Sequence, residues 1–208
     1  KEAGKDNKRY HLTLLAKNLT GYKNLLKMTS LGQLEGFYYK PRVDRELISE
    51  YGEGLIALSG CLGSNFNQYL MQDREEDAVE WIKFLTESVD DVYIELQRNG
   101  IDESDELIPT QTRIAKELNL PVVATCDTHY IEADDFKLQE IVWAISDGKR
   151  LDDPDRRQYG STEFYVKTPE QMRELFADIP EAITNTQVIA DSVEMYDIKF
   201  DRVQPKFK

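Results

Sequence analysis

Histidine and cysteine are scarce here. The 208 residues hold two of each, at His11, His129, Cys61 and Cys126. No CxxC pair and no HExxH occurs, so the compact zinc-finger and zincin patterns are excluded. Two thiols so far apart do not make a disulfide scaffold, and they fit a reducing compartment. Basic charge is in deficit as well. With 26 Lys and Arg against 39 Asp and Glu, the formal net charge is −13, which argues against a self-sufficient nucleic-acid binder, because phosphates are held mainly by clustered cations. No apolar run approaches the roughly 20 residues of a membrane span. The opening KEAGKDNKR is the opposite of a signal peptide, so a cytoplasmic protein with no membrane partner is expected. Internal repeats and low-complexity tracts are absent too.

What is present reads as alternating strands and helices. Residues 10–16 form a strand carrying His11, and 22–34 place Leu25, Leu26, Met28 and Leu31 at near-helical spacing. GFYYKPRVD follows as an aromatic and basic loop broken by Pro41, and Asp44 then caps a short helix running to about residue 51. Residues 55–58 return to strand, with Cys61 just past its end in a glycine-flanked turn. A helix over 73–87, a strand over 92–96 and a helix over 104–118 lead into a strand over 122–125. Strands separated by helices of this length imply βαβ units and a parallel sheet, whose ligands gather at the carboxyl ends of the strands. Later come a helix over 134–146, an irregular charged stretch, a short strand over 163–167 and two helices, of which Thr168-Pro169-Glu170-Gln171 opens the first as a capping pattern. The last residues, YDIKFDRVQPKFK, read as an extended, basic connection onward.

PVVATCDTHY is the most informative stretch. Its apolar strand ends in Asp127 and His129, two positions apart. In extended backbone such residues share a face, with Cα atoms roughly 6 to 7 Å apart. An oxygen ligand and an imidazole would then converge, with Cys126 turned the other way. Together with His11 and Cys61 they make a mixed imidazole, thiolate and carboxylate set at strand ends, which suits an open catalytic metal site better than a closed structural one. Each residue also has a plainer role: a hydrogen-bonded histidine, a small buried thiol, a polar strand end. Glu95 alternates with Ile94 and Leu96 and reaches the interior as a supporting group or simply ends a strand. Lys40 and Arg42, beside Phe37, Tyr38 and Tyr39, either meet phosphate or DNA or belong to an ordinary surface loop.

The blocks YHLTLLAKNLTGYKNLLKMTS, EGFYYKPRVDRELI, EGLIALSGCLG, LPVVATCDTHY, GKRLDDPDRR, EFYVKTPEQMRELFADIPEAITNT and PKF, in this order, resemble the polymerase and histidinol phosphatase (PHP) domain of bacterial replicative DNA polymerase III alpha subunits. The resemblance implies an α/β fold that is an incomplete, distorted (βα)7 barrel over residues 1–148. A mostly helical extension over 149–208 would lead towards a polymerase palm. It also implies a cluster of divalent ions, zinc with manganese or magnesium as alternatives, whose later ligands fall on His11, Cys61, Asp127 and His129, with Asp127 and His129 nearest the chemistry. The family's opening HxH and the ligands after it have no counterpart here, so a fragment with an incomplete site is expected, inactive by itself and unable to polymerise.

The activity implied for an intact protein is a metal-dependent phosphoesterase acting as a 3′–5′ proofreading exonuclease within a DNA-directed polymerase. Its implied partners are DNA, the sliding clamp and a proofreading subunit. A structural module that braces the polymerase and docks that subunit is the main alternative, and a free-standing small-molecule phosphoesterase the weaker one.

Overall fold

A computed structural model describes residues 9–158 and 160–199. The connection expected at the carboxyl end lies mostly outside them. Four strands, β1 (Thr13–Ala16), β2 (Leu55–Leu58), β3 (Asp91–Gln97) and β4 (Val122–Thr125), form one sheet in sequence order. Between and after them run α1 (Leu19–Leu34), α2 (Arg45–Glu50), α3 (Asn65–Leu70), α4 (Glu75–Ser88), α5 (Asp102–Glu117), α6 (Phe136–Asp147), α7 (Pro169–Leu175) and α8 (Pro180–Ser192). A single 3-10 turn, Ala133–Asp135, leads into α6. The fold is therefore mixed α/β. The described strands pair as an open sheet, with β1 and β4 at its edges. None of the described helices is long and apolar enough to cross a membrane.

Local chemistry explains most element ends. Asn18, Asp44, Ser64 and Thr168 each accept a hydrogen bond from a backbone N–H in the first turn of the helix they precede, satisfying a donor that has no partner within the helix. At Thr168 the bond is reciprocated by Gln171, giving the full capping box. Helix α1 sits close on the turn before β2. A Cβ on Gly21 would stand 1.9 Å from the Gly54 carbonyl oxygen, so only glycine fits that approach.

Period-two alternation in the strands builds two apolar layers. Leu55, Ala57, Val92, Ile94, Leu96, Val122 and Ala124 join the main core with Phe66, Trp81, Ile82, Leu85, Ile108 and Ile114 from the helices. The opposite face presents Ile56, Leu58, Tyr93 and Val123, which α8 covers with Ile189. Phe176, Ile179 and Ala182 place the α7–α8 region in the main core too. Arg98 fastens the same region to the end of β3, with its guanidinium bidentate on Asp178 at 2.5 and 2.7 Å and 5.0 Å over the Phe176 ring.

Two expectations need correction, and one helix was not anticipated. The sheet is not wholly parallel, because β1 runs antiparallel to β2 with Thr13 opposite Leu58, while β2, β3 and β4 are mutually parallel. The strand expected over 163–167 reduces to one bridge between Tyr165 and Tyr130. Flanking backbone is recruited instead by the loop after β4, through His129 N–H to Phe164 O at 2.8 Å and Val166 N–H to Ile131 O at 3.2 Å. Helix α3 went unread, although its N-cap Ser64 and the i, i+4 pair Phe66 and Leu70, both buried, are legible in retrospect.

Candidate metal centre

The antiparallel turn of β1 is what assembles the site. In a parallel arrangement the start of β1 would lie at the opposite rim from the end of β2; reversed, it lies beside that end. His11 forms a bridge with Ser64 and donates its N–H to Gly63 O at 2.9 Å. Its ring lies along Gly63, where a Cβ would meet Nδ1 at 3.2 Å, and Nδ1 comes within 3.3 Å of Cys61 Sγ.

The Cys61 turn is held from beneath. Gly60 takes φ +89°, a left-handed conformation that glycine accepts freely. Its N–H donates to Glu95 Oε2 at 3.0 Å, and the Asn67 side-chain amide donates to Gly60 O at 2.9 Å and Cys61 O at 3.1 Å. Ser64 N–H closes the turn onto Cys61 O at 2.8 Å. Burial pushes the half-buried Cys61 thiol up, and the negative charges of Asp127 and Glu95 add to the rise despite an opposing backbone hydrogen bond from Gly63. A thiol of this kind ionises reluctantly without a cation beside it.

Glu95 is buried, 5% exposed, on the face of β3 opposite Ile94 and Leu96. Besides Gly60 N–H, it accepts Thr125 Oγ1 at 2.6 Å and Gln97 Nε2 at 3.0 Å, both on Oε1. Desolvation raises its pKa, and the three donors oppose that rise without cancelling it. Glu95 thus joins the ends of β2, β3 and β4.

At the end of β4 the chain leaves extended backbone at once. Asp127 has φ +49°, so the side-by-side projection expected for Asp127 and His129 from strand alternation is not what positions them. The left-handed residue turns the chain, and His129 Nδ1 meets the Asp127 carbonyl oxygen at 2.6 Å. A carbonyl only accepts, so Nδ1 carries the proton and the ring's acceptor lone pair falls on Nε2. The His129 ring stands edge-on to Phe164 at 5.4 Å. Asp127 follows the carboxyl end of β4, which runs parallel to β2 and β3, so it stands at the same rim as Cys61, and its charge raises the pKa of both Cys61 and Glu95. Cys126 Sγ turns to Thr128 Oγ1 at 3.0 Å.

Two zinc-type donors are therefore in contact. An imidazole nitrogen and a thiolate sulfur bound to one tetrahedral ion, at about 2.0 and 2.3 Å from it, stand about 3.5 Å apart, close to the separation of His11 and Cys61. Among the described residues no set of three or more His, Cys, Asp or Glu side chains is gathered tightly enough to hold a metal ion. The described arrangement thus supplies a pair of ligands, not a full shell.

Arg42 stacks 5.0 Å over the Tyr38 ring and donates to Tyr38 O at 3.1 Å. With His11 it lines a cleft of about 460 Å³ that also takes in Arg9, Tyr10 and Trp81. Lys40 is not on that lining; its carbonyl accepts Tyr38 N–H at 3.1 Å. Sequence reasoning missed Asn67, Gln97, Thr125 and Gln111, whose side chains pair only across the fold.

An α/β sheet with an imidazole–thiol pair and further candidate ligands following its strand ends defines a class of α/β domains whose site lies at the carboxyl rim of the sheet. Residues 2–99 match the family model described as PHP domain, and this region belongs to that family. Along nearly its whole length the chain is similar to proteins named DNA polymerase III subunit alpha. It is 42% identical over 194 residues to that of Borreliella burgdorferi, covering 92% of this chain and 17% of the relative. The Campylobacter jejuni protein is 40% identical over 213 residues, covering 96% and 18%. The Thermus aquaticus protein is 42% identical over 193 residues, covering 92% and 16%. The chain thus spans about a sixth of the length of the curated relatives it matches.

Proposed function

We propose that this chain is the PHP-domain portion of a bacterial replicative DNA polymerase III alpha subunit, with 1–148 as part of a distorted (βα)7 barrel and 149–208 as its extension towards the polymerase palm. The polymerase acts on DNA in the cytoplasm with sliding-clamp and proofreading subunits as partners. The PHP rim serves as a metal-dependent phosphoesterase that removes a mismatched nucleotide from a primer 3′ end. The observation carrying this reading is the 3.3 Å contact between His11 Nδ1 and Cys61 Sγ, with the Asp127 charge at the same rim.

His11, Cys61, Asp127 and His129 would hold divalent ions, zinc first on the evidence of thiol and imidazole donors. Bound ions supply an acidified water and charge neutralisation at the phosphoryl group. The chain's own residues prepare the rim. His129 presents Nε2 because Asp127 O holds its Nδ1 proton, and Asn67 with Glu95 fixes both backbone faces of Gly60 beneath the thiol. Arg42 stands in the cleft beside His11, placed to meet phosphate; Lys40 on the same loop supplies longer-range attraction.

The test uses the full-length polypeptide. Elemental analysis should find bound zinc, manganese or magnesium, and a mismatched primer should lose its 3′ nucleotide at a rate that Asp127→Asn reduces at least tenfold. No bound metal, together with unchanged 3′ nucleotide release in Asp127→Asn, would leave the domain a scaffold.

A further inference from the structure

Behind the Cys61 turn, between β3 and α5, lies a small, partly open cavity of about 10 Å³ lined by Leu62, Asn67, Glu95, Gln97, Ser104 and Gln111. Five of its six lining residues are polar, the kind of lining that holds water and not the apolar one of a dry void. Ser104 is 5% exposed and Gln111 3%. Among the described residues neither Ser104 Oγ nor Gln111 Oε1 has a hydrogen-bond partner. Two buried oxygens left bare would each carry a desolvation cost that folded proteins almost always avoid.

We propose that this cavity is a binding site for a single water molecule, held by Ser104 Oγ and Gln111 Oε1. Its volume is that of about one water, and water can donate to Gln111 Oε1 while accepting from or donating to the hydroxyl. An apolar occupant would leave both oxygens bare. A bound cation would need more oxygen ligands than these two atoms supply, and the Glu95 oxygens on the same lining already accept from Gly60, Gln97 and Thr125.

The position gives this water a role in the site. Gln111 Nε2 donates to Asn67 Oδ1 at 2.8 Å, and Asn67 in turn holds the carbonyls of Gly60 and Cys61. From the other side Glu95 holds Gly60 N–H. Gln111 belongs both to the cavity wall and to the Asn67 arm, so the water extends to Ser104 the network by which α5 reaches the floor of the thiol turn. This inference stands on cavity geometry and does not depend on metal binding or on the polymerase assignment.

The experiment is a high-resolution crystal structure of the protein, with a rubidium-soaked crystal beside it, and thermal unfolding of Ser104→Ala. The expected result is one water peak within hydrogen-bond distance of Ser104 Oγ and Gln111 Oε1, with no anomalous rubidium signal there. The Ser104→Ala midpoint should fall, because a water bond is lost. An empty cavity overturns the proposal, as does a rubidium peak or an unchanged or raised midpoint in Ser104→Ala, since removing a bare buried hydroxyl from a dry cavity is neutral or stabilising.

Discussion

His11 Nδ1 and Cys61 Sγ lie 3.3 Å apart although 50 positions separate them in sequence. The contact exists because β1 is reversed against β2, and the register Thr13 to Leu58 carries the two residues past the strand ends to the same point. Imidazole and thiol are thereby brought together without a sequence motif that spaces them.

A pair this close should bind a thiophilic ion through sulfur. Titration of the protein with Co²⁺ is expected to give a near-ultraviolet thiolate charge-transfer band, absent in Cys61→Ser and weakened in His11→Ala. Circular dichroism of both variants should match the parent, since Cys61 is only half buried. A band that persists in Cys61→Ser would place the ion elsewhere.

Glu95 carries a pH signature. Burial raises its pKa above the ordinary carboxylate value, so the folded protein keeps a proton that the unfolded chain has already released. Its contribution to stability is complete below the unfolded pKa of roughly 4.3 and is lost as pH rises from there through the raised folded pKa. Glu95→Gln should remove that slope from urea-unfolding free energies measured across this window. It should also cost about 1–3 kcal/mol at low pH, because the new amide confronts either Gly60 N–H or the Thr125 and Gln97 donors. A slope identical to the parent's would remove Glu95 as its source.

The α7–α8 region should unfold with the sheet, not before it. Phe176 is fully buried in the main core, so Phe176→Ala is expected to lose about 3–5 kcal/mol in a single cooperative transition. Arg98→Ala, which removes the bidentate contact to Asp178, should lose about 1–3 kcal/mol. An early separate transition in either variant, seen by fluorescence and circular dichroism at different denaturant concentrations, would show that this region is an independent unit.

Much of the fold was legible in local pattern. The span of β2 over 55–58, the Asp44 cap and the Thr168 capping pattern follow from periodicity and end chemistry, which act over a few residues. Glu95 on the face opposite Ile94 and Leu96 followed from alternation alone. Asp127 did not: a left-handed φ in a non-glycine residue has no strong local signature, and extended geometry was carried on to His129 although β4 ends at Thr125.

The sequence alone settled which segments bury apolar faces and which few residues have ligand chemistry, because both depend on residue type and short-range spacing. Only the tertiary structure decided that β1 runs backward, that His11 reaches Cys61, and that Glu95, Asn67 and Gln111 share one polar interior. Strand direction at a sheet edge is set by how the intervening α1 and α2 pack. Buried amide and carboxyl pairs satisfy one another across distances in the chain that no local pattern records.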